Sequence, residues 1–174
     1  MSTRPGRNYR ALQRPYTRKE YIRSIPPSKI TKFTHGNPEG TYDYEVKIVA
    51  TASFQVKSNA LEAARMSVLS QLRNSIPEEF FFFKVVPYPH HVIRRHALAG
   101  VHKAERLQKG MRLAFGKPDG RAARIMKGQD IMVLRVRAQD LELAKDAIRI
   151  GKLKLPHMTK ILVERIVSNE EKGA

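Results

Sequence analysis

Apolar and polar residues alternate along several stretches of the chain, and this pattern predicts β-strands. Two prolines, Pro87 and Pro89, separate a strongly apolar run from a more basic one, which marks a bend or a sheet edge between two strands. Near Lys29–Phe33 the pattern allows at most one short strand. We predict the main strands over residues 44–56, 80–88, 91–96, 123–127, 130–137 and 159–167.

Apolar residues at helical spacing predict two helices, one in each half of the chain. Asn59 and Glu62 form the pattern of a capping box, which predicts the start of the first helix, and Pro77 predicts its end. The second helix is predicted over residues 140–150, with Gly151 closing it. The apolar face of the first helix consists of Leu61, Ala64, Val68, Leu72 and Ile76.

The order of these elements is strand–helix–strands, a long loop, then strands–helix–strand. It predicts an α+β fold, a two-layer sandwich of two helices on a mixed, largely antiparallel sheet. Prolines and glycines punctuate residues 1–40, which predicts an extended arm. We expect a single domain over 41–167 that includes a long basic loop over 97–123, and a frayed tail over 168–174.

Composition excludes several classes of protein. The 174 residues suffice for one ordinary domain, and 41% of them are apolar, which excludes a fully disordered polycation. No cysteine is present, so disulfide scaffolds, thiolate nucleophiles and cysteine-ligated zinc are excluded. No apolar run approaches the roughly 18 residues that span a bilayer, and the N-terminus has no apolar core of a secretory signal. We therefore expect a soluble intracellular protein without a membrane partner.

The formal net charge is +17, and it is concentrated in two segments. Residues 1–36 hold nine basic residues against Glu20 alone, and residues 90–127 hold ten against two acidic residues. Such a surplus calls for a polyanionic partner, and nucleic acid is the commonest one. The sequence thus predicts a nearly neutral folded body that carries two basic segments.

Tyrosines alternate with arginines in the first basic segment, a mixture that suits phosphate contacts together with stacking on bases. An equally open alternative is that the tyrosines fix the arm to the body. In the two segments we predict RNA contacts at Arg4, Arg7, Tyr9, Arg10, Arg14, Tyr16, Arg18, Lys19, Arg23, Arg94, Arg95, Arg121 and Arg124.

Candidate catalytic and metal-binding patterns fail on spacing. His90 and His91 are adjacent, so they point to opposite faces of a strand, and no acidic cluster completes a metal site near them. Gly110 and Gly116 enclose five residues instead of the four of a phosphate loop, and Pro118 stands where that loop needs a hydroxyl. We predict no catalytic residue, no metal and no cofactor, and hence no enzyme.

Several blocks of sequence resemble one known family. Residues 61–65 (LEAAR), 90–95 (HHVIRR) and above all 105–118 (ERLQKGMRLAFGKP), followed by RAARIMKGQDIM, are similar to the archaeal and eukaryotic large-subunit ribosomal protein family called L-ten-e, the counterpart of bacterial L-sixteen. The opening RPGRNYR…RPYTRKEYIRSIP also resembles that family, and the similarity covers about residues 4–167. The lack of cysteine and of a Gly-Lys-Gly-Lys-Gly run favours an archaeal member.

The resemblance implies a hammerhead-type α+β sandwich that binds large-subunit ribosomal RNA and lies beside neighbouring ribosomal proteins. It also implies a loop near tRNA at the peptidyl transferase centre, and it does not imply an obligate homo-oligomer. Carried over by position, the implied RNA contacts of the loop are Arg106, Lys109, Arg112 and Lys117. The implied tRNA-proximal residues are Leu98, Gly100, His102, Lys103, Arg106, Lys109 and Gly110.

Three functions remain open from the sequence. A structural ribosomal protein explains both basic segments and the familiar blocks. A free-standing RNA chaperone or assembly factor explains the charge equally well. An RNA-processing enzyme that uses the histidines is the third.

Overall fold

The computed structural model describes residues 6–95 and 116–166. Within these ranges the chain forms eight strands and two helices, and every strand pairing is antiparallel. The elements are β1 (Thr34–Gly36), β2 (Tyr44–Ala50), β3 (Phe54–Lys57), α1 (Ser58–Arg73), β4 (Phe81–Val85), β5 (His91–Arg95), β6 (Lys117–Ile125), β7 (Asp130–Val136), α2 (Leu141–Lys152) and β8 (Thr159–Arg165).

The α+β sandwich predicted from the sequence is confirmed, but its strands form two sheets. One sheet has five strands in the order β1-β4-β7-β2-β8, and the other has three in the order β3-β6-β5. The run 44–56 was predicted as one strand and is in fact two, β2 and β3, which belong to different sheets.

The main core lies between the helices and the inner faces of both sheets. Phe81 and Phe83 of β4, Val46 and Ile48 of β2, and Leu61 of α1 are all fully buried in it. The two helices approach closely where Gly151 of α2 faces Val68 of α1. There is no room for a side chain at Gly151, since an added Cβ atom would lie only 2.4 Å from Cγ2 of Val68. The small sheet contributes its own apolar face to the same core, which fixes the orientation of its other face.

The predicted capping box is wrong. Helix α1 begins at Ser58 with Lys57 as its N-cap, and no side chain caps it. Glu62 instead accepts a 2.8 Å hydrogen bond from Nε of Arg65, a charge-assisted pair that is stronger than a neutral capping bond. Arg65 is also within 2.9 Å of Nε2 of His35, which links α1 to β1. The guanidinium is thus buried but fully engaged.

Other boundaries also differ from the predictions. The long loop predicted over 97–123 ends earlier, since β6 begins at Lys117, and the strand predicted at 123–127 overlaps only the end of β6, which stops at Ile125. Helix α2 continues past Gly151 to Lys152, and β4 ends at Val85. The short strand predicted near Lys29–Phe33 lies at Thr34–Gly36. Residues 96–115, which include most of that loop, and the tail 168–174 lie outside the described residues.

Candidate nucleic-acid interface

The three-stranded sheet has one apolar and one polar face. Its inner face carries Phe54, Val56 and Ala123 into the main core. Across the pairing of β3 with β6, Gln55 lies opposite Arg124, so both project from the outer face. His91 of β5 lies opposite Ala122 and shares that outer face.

The N-terminal segment crosses this outer face from one edge of the small sheet to the other. At the β3 edge, the backbone N–H of Gln55 donates to the carbonyl oxygen of Arg10 at 3.0 Å. At the β5 edge, the backbone N–H of Val92 donates to the carbonyl oxygen of Tyr16 at 3.0 Å, and the N–H of Tyr16 donates to Nδ1 of His91 at 3.0 Å. The predicted arm therefore forms an additional layer over the sheet.

Two of the tyrosines predicted to interleave with arginines fix this segment to the body. Tyr9 is only 7% exposed, packs with Ile93 and Ala122, and holds Nζ of Lys57 4.1 Å from its ring centroid. Tyr16 is half-buried, and the guanidinium of Arg94 lies 4.2 Å from its ring centroid. The anchoring alternative describes both residues, and Tyr21, which is 71% exposed, offers an open ring for stacking.

The basic residues predicted to bind RNA fall into three groups. The exposed group consists of Arg7, Arg14, Arg18, Lys19, Arg23 and Lys117. The half-buried group consists of Arg10, Arg94, Arg95, Arg121 and Arg124. Outside the described residues lie Arg4, Leu98, Gly100, His102, Lys103, Arg106, Lys109, Gly110 and Arg112.

Some members of the half-buried group bind other parts of the protein. Nε of Arg121 donates to the carbonyl oxygen of Pro26 at 2.8 Å, which holds a later part of the arm. A guanidinium nitrogen of Arg95 lies 3.9 Å from the carboxylate of Asp119. These contacts give the half-buried arginines a structural role, while the exposed group presents its charges to solvent.

The hydrogen bond at His91 makes the attachment of the arm sensitive to pH. Nδ1 can accept the N–H of Tyr16 only when the ring is neutral. Burial, followed by the charges of Arg124 and Arg94, lowers the pKa of His91 below its ordinary 6.5. Stability from this group is therefore complete above pH 6.5 and is lost as the pH falls through the lower folded-state pKa.

We expect acidification from about pH 7.5 to 5 to reduce the protection of the Tyr16 amide against hydrogen exchange by about fivefold beyond the intrinsic rate change, the value of one hydrogen bond. The matched control is His91→Gln, which keeps an acceptor but does not titrate. An equal pH dependence in both proteins would contradict this role of His91.

A cavity of about 400 Å³ lies at the N-terminus of α1, between the arm and the turn that follows α2. Of the predicted residues it contains Arg7 and Arg10, and it adds residues that the sequence analysis missed. Gln55 and Lys57 were detectable, because alternation along β3 places both on one face. No sequence pattern pointed to the further lining residues Asn59, Ala60, Lys154, Leu155 and Pro156.

The other large cavity differs in charge. It has a volume of about 700 Å³ and is lined by basic and acidic residues together, among them Glu45, Arg135 and Glu164. Nε of Arg135 lies 2.9 Å from Glu45, and Nζ of Lys47 lies 2.6 Å from Glu164. Hydrogen bonds from Lys47 to Glu164 and Glu45 raise the pKa of Lys47. The charges on this part of the large sheet are thus largely paired with one another.

The described ranges show neither a metal site nor a helix that could cross a membrane. Residues 6–95 and 116–166 contain no group of three or more histidine, aspartate or glutamate side chains that could hold a metal ion. His91 accepts a hydrogen bond from the arm, and the ring of His90 lies tilted against Tyr88 with 4.6 Å between the ring centroids. In the same ranges no helix has both the length and the apolar character that crossing a membrane requires.

Comparison with known proteins identifies the family. The model of the family described as ribosomal protein L16p/L10e matches residues 12–162. The chain belongs to this family. The match includes the arm from residue 12, both helices and both sheets up to residue 162 in β8, so the L16p/L10e assignment applies to the described fold except a few residues at each end.

Archaeal relatives are similar over nearly their whole length. The large ribosomal subunit protein uL16 of Saccharolobus solfataricus is 50% identical over 164 residues, which cover 92% of each chain. The protein of the same name from Sulfolobus acidocaldarius is 48% identical over 177 residues, covering 100% of this chain and 99% of its own. The uL16 protein of Hyperthermus butylicus is 50% identical over 149 residues, or 86% of this chain and 83% of its own. The predicted family and its archaeal character are confirmed.

Proposed function

We propose that this L16p/L10e member is a structural constituent of the large ribosomal subunit in the cytoplasm, where it binds ribosomal RNA and helps to position tRNA near the peptidyl transferase centre. The names of its archaeal relatives support the first part, since each is a large ribosomal subunit protein. The partners we propose are ribosomal RNA, neighbouring ribosomal proteins and, in the assembled ribosome, tRNA. We propose neither an enzymatic activity nor an obligate homo-oligomer.

One structural observation carries the RNA-binding part. A basic segment is held across the outer face of the small sheet by backbone hydrogen bonds at Arg10 and Tyr16, while the side chains of Arg7, Arg14 and Arg18 remain exposed. A fixed backbone with exposed cations lowers the entropy lost when RNA binds. Guanidinium groups also form bidentate hydrogen bonds with phosphates.

Sedimentation of the tagged chain from a lysate of its native cell tests the subunit assignment. We expect it to travel in stoichiometric amounts with large subunits and translating ribosomes and to withstand a high-salt wash. Restriction to precursor particles or to free RNA would instead support the assembly-factor or chaperone alternative, which the comparisons do not favour.

The tRNA role rests on the segment 98–110, which lies outside the described residues, and on the resemblance of its sequence. We expect simultaneous replacement of Arg106, Lys109 and Arg112 by alanine to leave the denaturation midpoint unchanged and to weaken tRNA binding by reconstituted ribosomes. The physical reason is the loss of three cations that would face phosphates. Normal translation and unchanged tRNA affinity in such ribosomes would contradict the role of this segment.

A further inference from the structure

We propose that the cavity at the N-terminus of α1 binds a backbone phosphate of RNA, held by Arg7, Arg10, Lys57 and Lys154. The inference rests on the proposed function, because it names the chemical group that one part of the basic surface takes from its RNA partner. It adds Gln55, Lys57, Asn59 and Lys154 to the RNA-contacting residues.

The cavity has the charge of an anion site. Its described lining residues include four cationic side chains and no acidic one. Burial, with a smaller contribution from Arg95, lowers the pKa of Lys57 even though Asp119 acts in the opposite direction. An anion beside this ammonium group would offset its loss of hydration. The cavity beside Glu45 differs, because its lining includes acidic as well as basic side chains.

The N-terminus of α1, which opens into the cavity, favours the binding of a negatively charged group. Helix α1 has 16 residues, no side-chain cap and no acidic residue in its first turn. Its first N–H groups carry the positive end of the helix dipole. Asn59, in the first turn, lines the cavity and points to direct contact between a ligand and this end.

The buried side chain of Gln55 independently indicates a ligand in this cavity. Its side chain lines the same cavity and is only 3% exposed. Neither its Nε2 nor its Oε1 has a hydrogen-bond partner among the described residues. A buried amide donor without a partner is costly. A phosphate oxygen that accepts from Nε2 of Gln55 would remove that cost.

The position of Gln55 agrees with this assignment. Gln55 and Lys57 are two residues apart on β3 and project from the same face, toward the arm. The backbone N–H of Gln55 holds the carbonyl oxygen of Arg10, which fixes the start of the Arg10 side chain beside the amide. Strand β3 and the arm therefore bring the cations of Lys57 and Arg10 and the neutral amide of Gln55 into the same cavity.

The first test measures binding of the full chain to large-subunit ribosomal RNA as a function of salt concentration. The site variant is Arg10→Gln with Lys154→Gln, and the matched control is Lys84→Gln with Lys160→Gln, two exposed lysines outside the cavity and outside both basic segments. Loss of one shared phosphate contact should reduce the slope of log affinity against log salt by roughly 0.7–0.9. The control should leave the slope nearly unchanged, and equal slopes in both variants would overturn the proposal.

The second test uses Gln55→Leu, which removes the amide and keeps the charge. We expect the affinity for ribosomal RNA to fall by about fivefold, the value of one hydrogen bond, with an unchanged salt slope. The free energy of unfolding should be equal or higher, because a buried polar group without a partner has been removed. Unchanged RNA affinity in Gln55→Leu would overturn the role of Gln55.

The third test separates this proposal from the proposed function. Inorganic phosphate is titrated into the protein alone, and the resonances of the Gln55 side-chain amide and the Asn59 backbone amide are followed by NMR. Selective shifts that disappear in the Arg10/Lys154 variant support an anion site, and their absence overturns it. If the wild-type chain shows these shifts but fails to bind ribosomal RNA, the anion site stands and the proposed function fails. If phosphate shifts these resonances but the Arg10/Lys154 variant binds ribosomal RNA as tightly as the wild-type chain does, the cavity binds an anion other than RNA, and the assignment to RNA is overturned.

Discussion

The affinity of the isolated chain for large-subunit ribosomal RNA should fall by roughly 10³–10⁵ when the salt concentration rises from about 50 to 200 mM, the response of a protein that makes about 6–10 phosphate contacts. We expect the exposed cations of the arm, such as Arg14, Arg18 and Arg23, to supply such contacts. Each neutralised phosphate releases counterions, so added salt opposes binding. Filter binding at fixed magnesium concentration measures the effect.

A charge variant makes this prediction specific to the arm. Replacing Arg14, Arg18 and Arg23 together by glutamine should reduce the slope of log affinity against log salt by roughly 2–3. No side-chain hydrogen bond or ion pair of these residues is found within the described ranges, so folding should be unaffected. The control replaces three exposed lysines outside the arm, Lys84, Lys127 and Lys160. If the arm variant and the control reduce the slope equally, the total charge of the protein determines binding, and the position of the charges in the arm does not.

Gly36→Ala should lower the free energy of unfolding by roughly 2–5 kcal/mol. Gly36 ends β1 with a φ of +83°, where an L side chain costs about 1–2 kcal/mol. A Cβ there would also lie 2.0 Å from the carbonyl oxygen of Phe81, a backbone atom of the neighbouring strand. Displacing β4 to relieve this overlap should cost a further roughly 1–3 kcal/mol.

Gly128 provides a matched control for this prediction. It has the same φ of +83°, but nothing lies within 4 Å of the Cβ that it lacks. Gly128→Ala should therefore lose only the conformational part, about 1–2 kcal/mol. Chemical denaturation of both variants measures the difference. Equal losses would show that the contact with Phe81 is unimportant and that the backbone at Gly36 moves freely.

The sequence predicted the fold class because both helices have clear apolar periodicity and most strands have distinct boundaries. It did not predict the division into two sheets. The chain leaves one sheet and enters the other through Thr51, Ala52 and Ser53, and the alternation of residues continues through that crossing. Periodicity reports which residues are buried and carries no information on the sheet to which a strand belongs.

The first part of strand β6, residues 117–122, was missed because Pro118 and Gly120 are unfavourable inside strands. The structure accommodates them at an irregularity of the pairing with β5, where the register shifts between Ile93 and Arg94. Pro118 lies opposite Arg94 beside this shift, and Gly120 lies opposite Ile93. Bulges of this kind tolerate residues that regular ladders exclude, and local sequence patterns do not reveal them.

The candidate site was predictable in its composition and not in its arrangement. The charge of the arm indicated RNA, and the arginines Arg14, Arg18 and Arg23 are exposed as that function needs. The path of the arm depends on single backbone hydrogen bonds at Arg10 and Tyr16, which have no signature in the sequence. The cavity was missed for the same reason, since it joins residues from three separate parts of the chain.

The layer formed by the arm also sets an order of events during synthesis. Tyr16 is made 75 residues before His91, and Pro26 is made 95 residues before Arg121, the partners that later hold the arm. At about 5–20 residues per second, an emerging chain spends several seconds with its basic leading segment undocked. For that interval this segment is a polycation without its docking partners inside a cell rich in RNA. Newly made chains should therefore bind nucleic acid less selectively than finished ones, until β5 and β6 capture the arm.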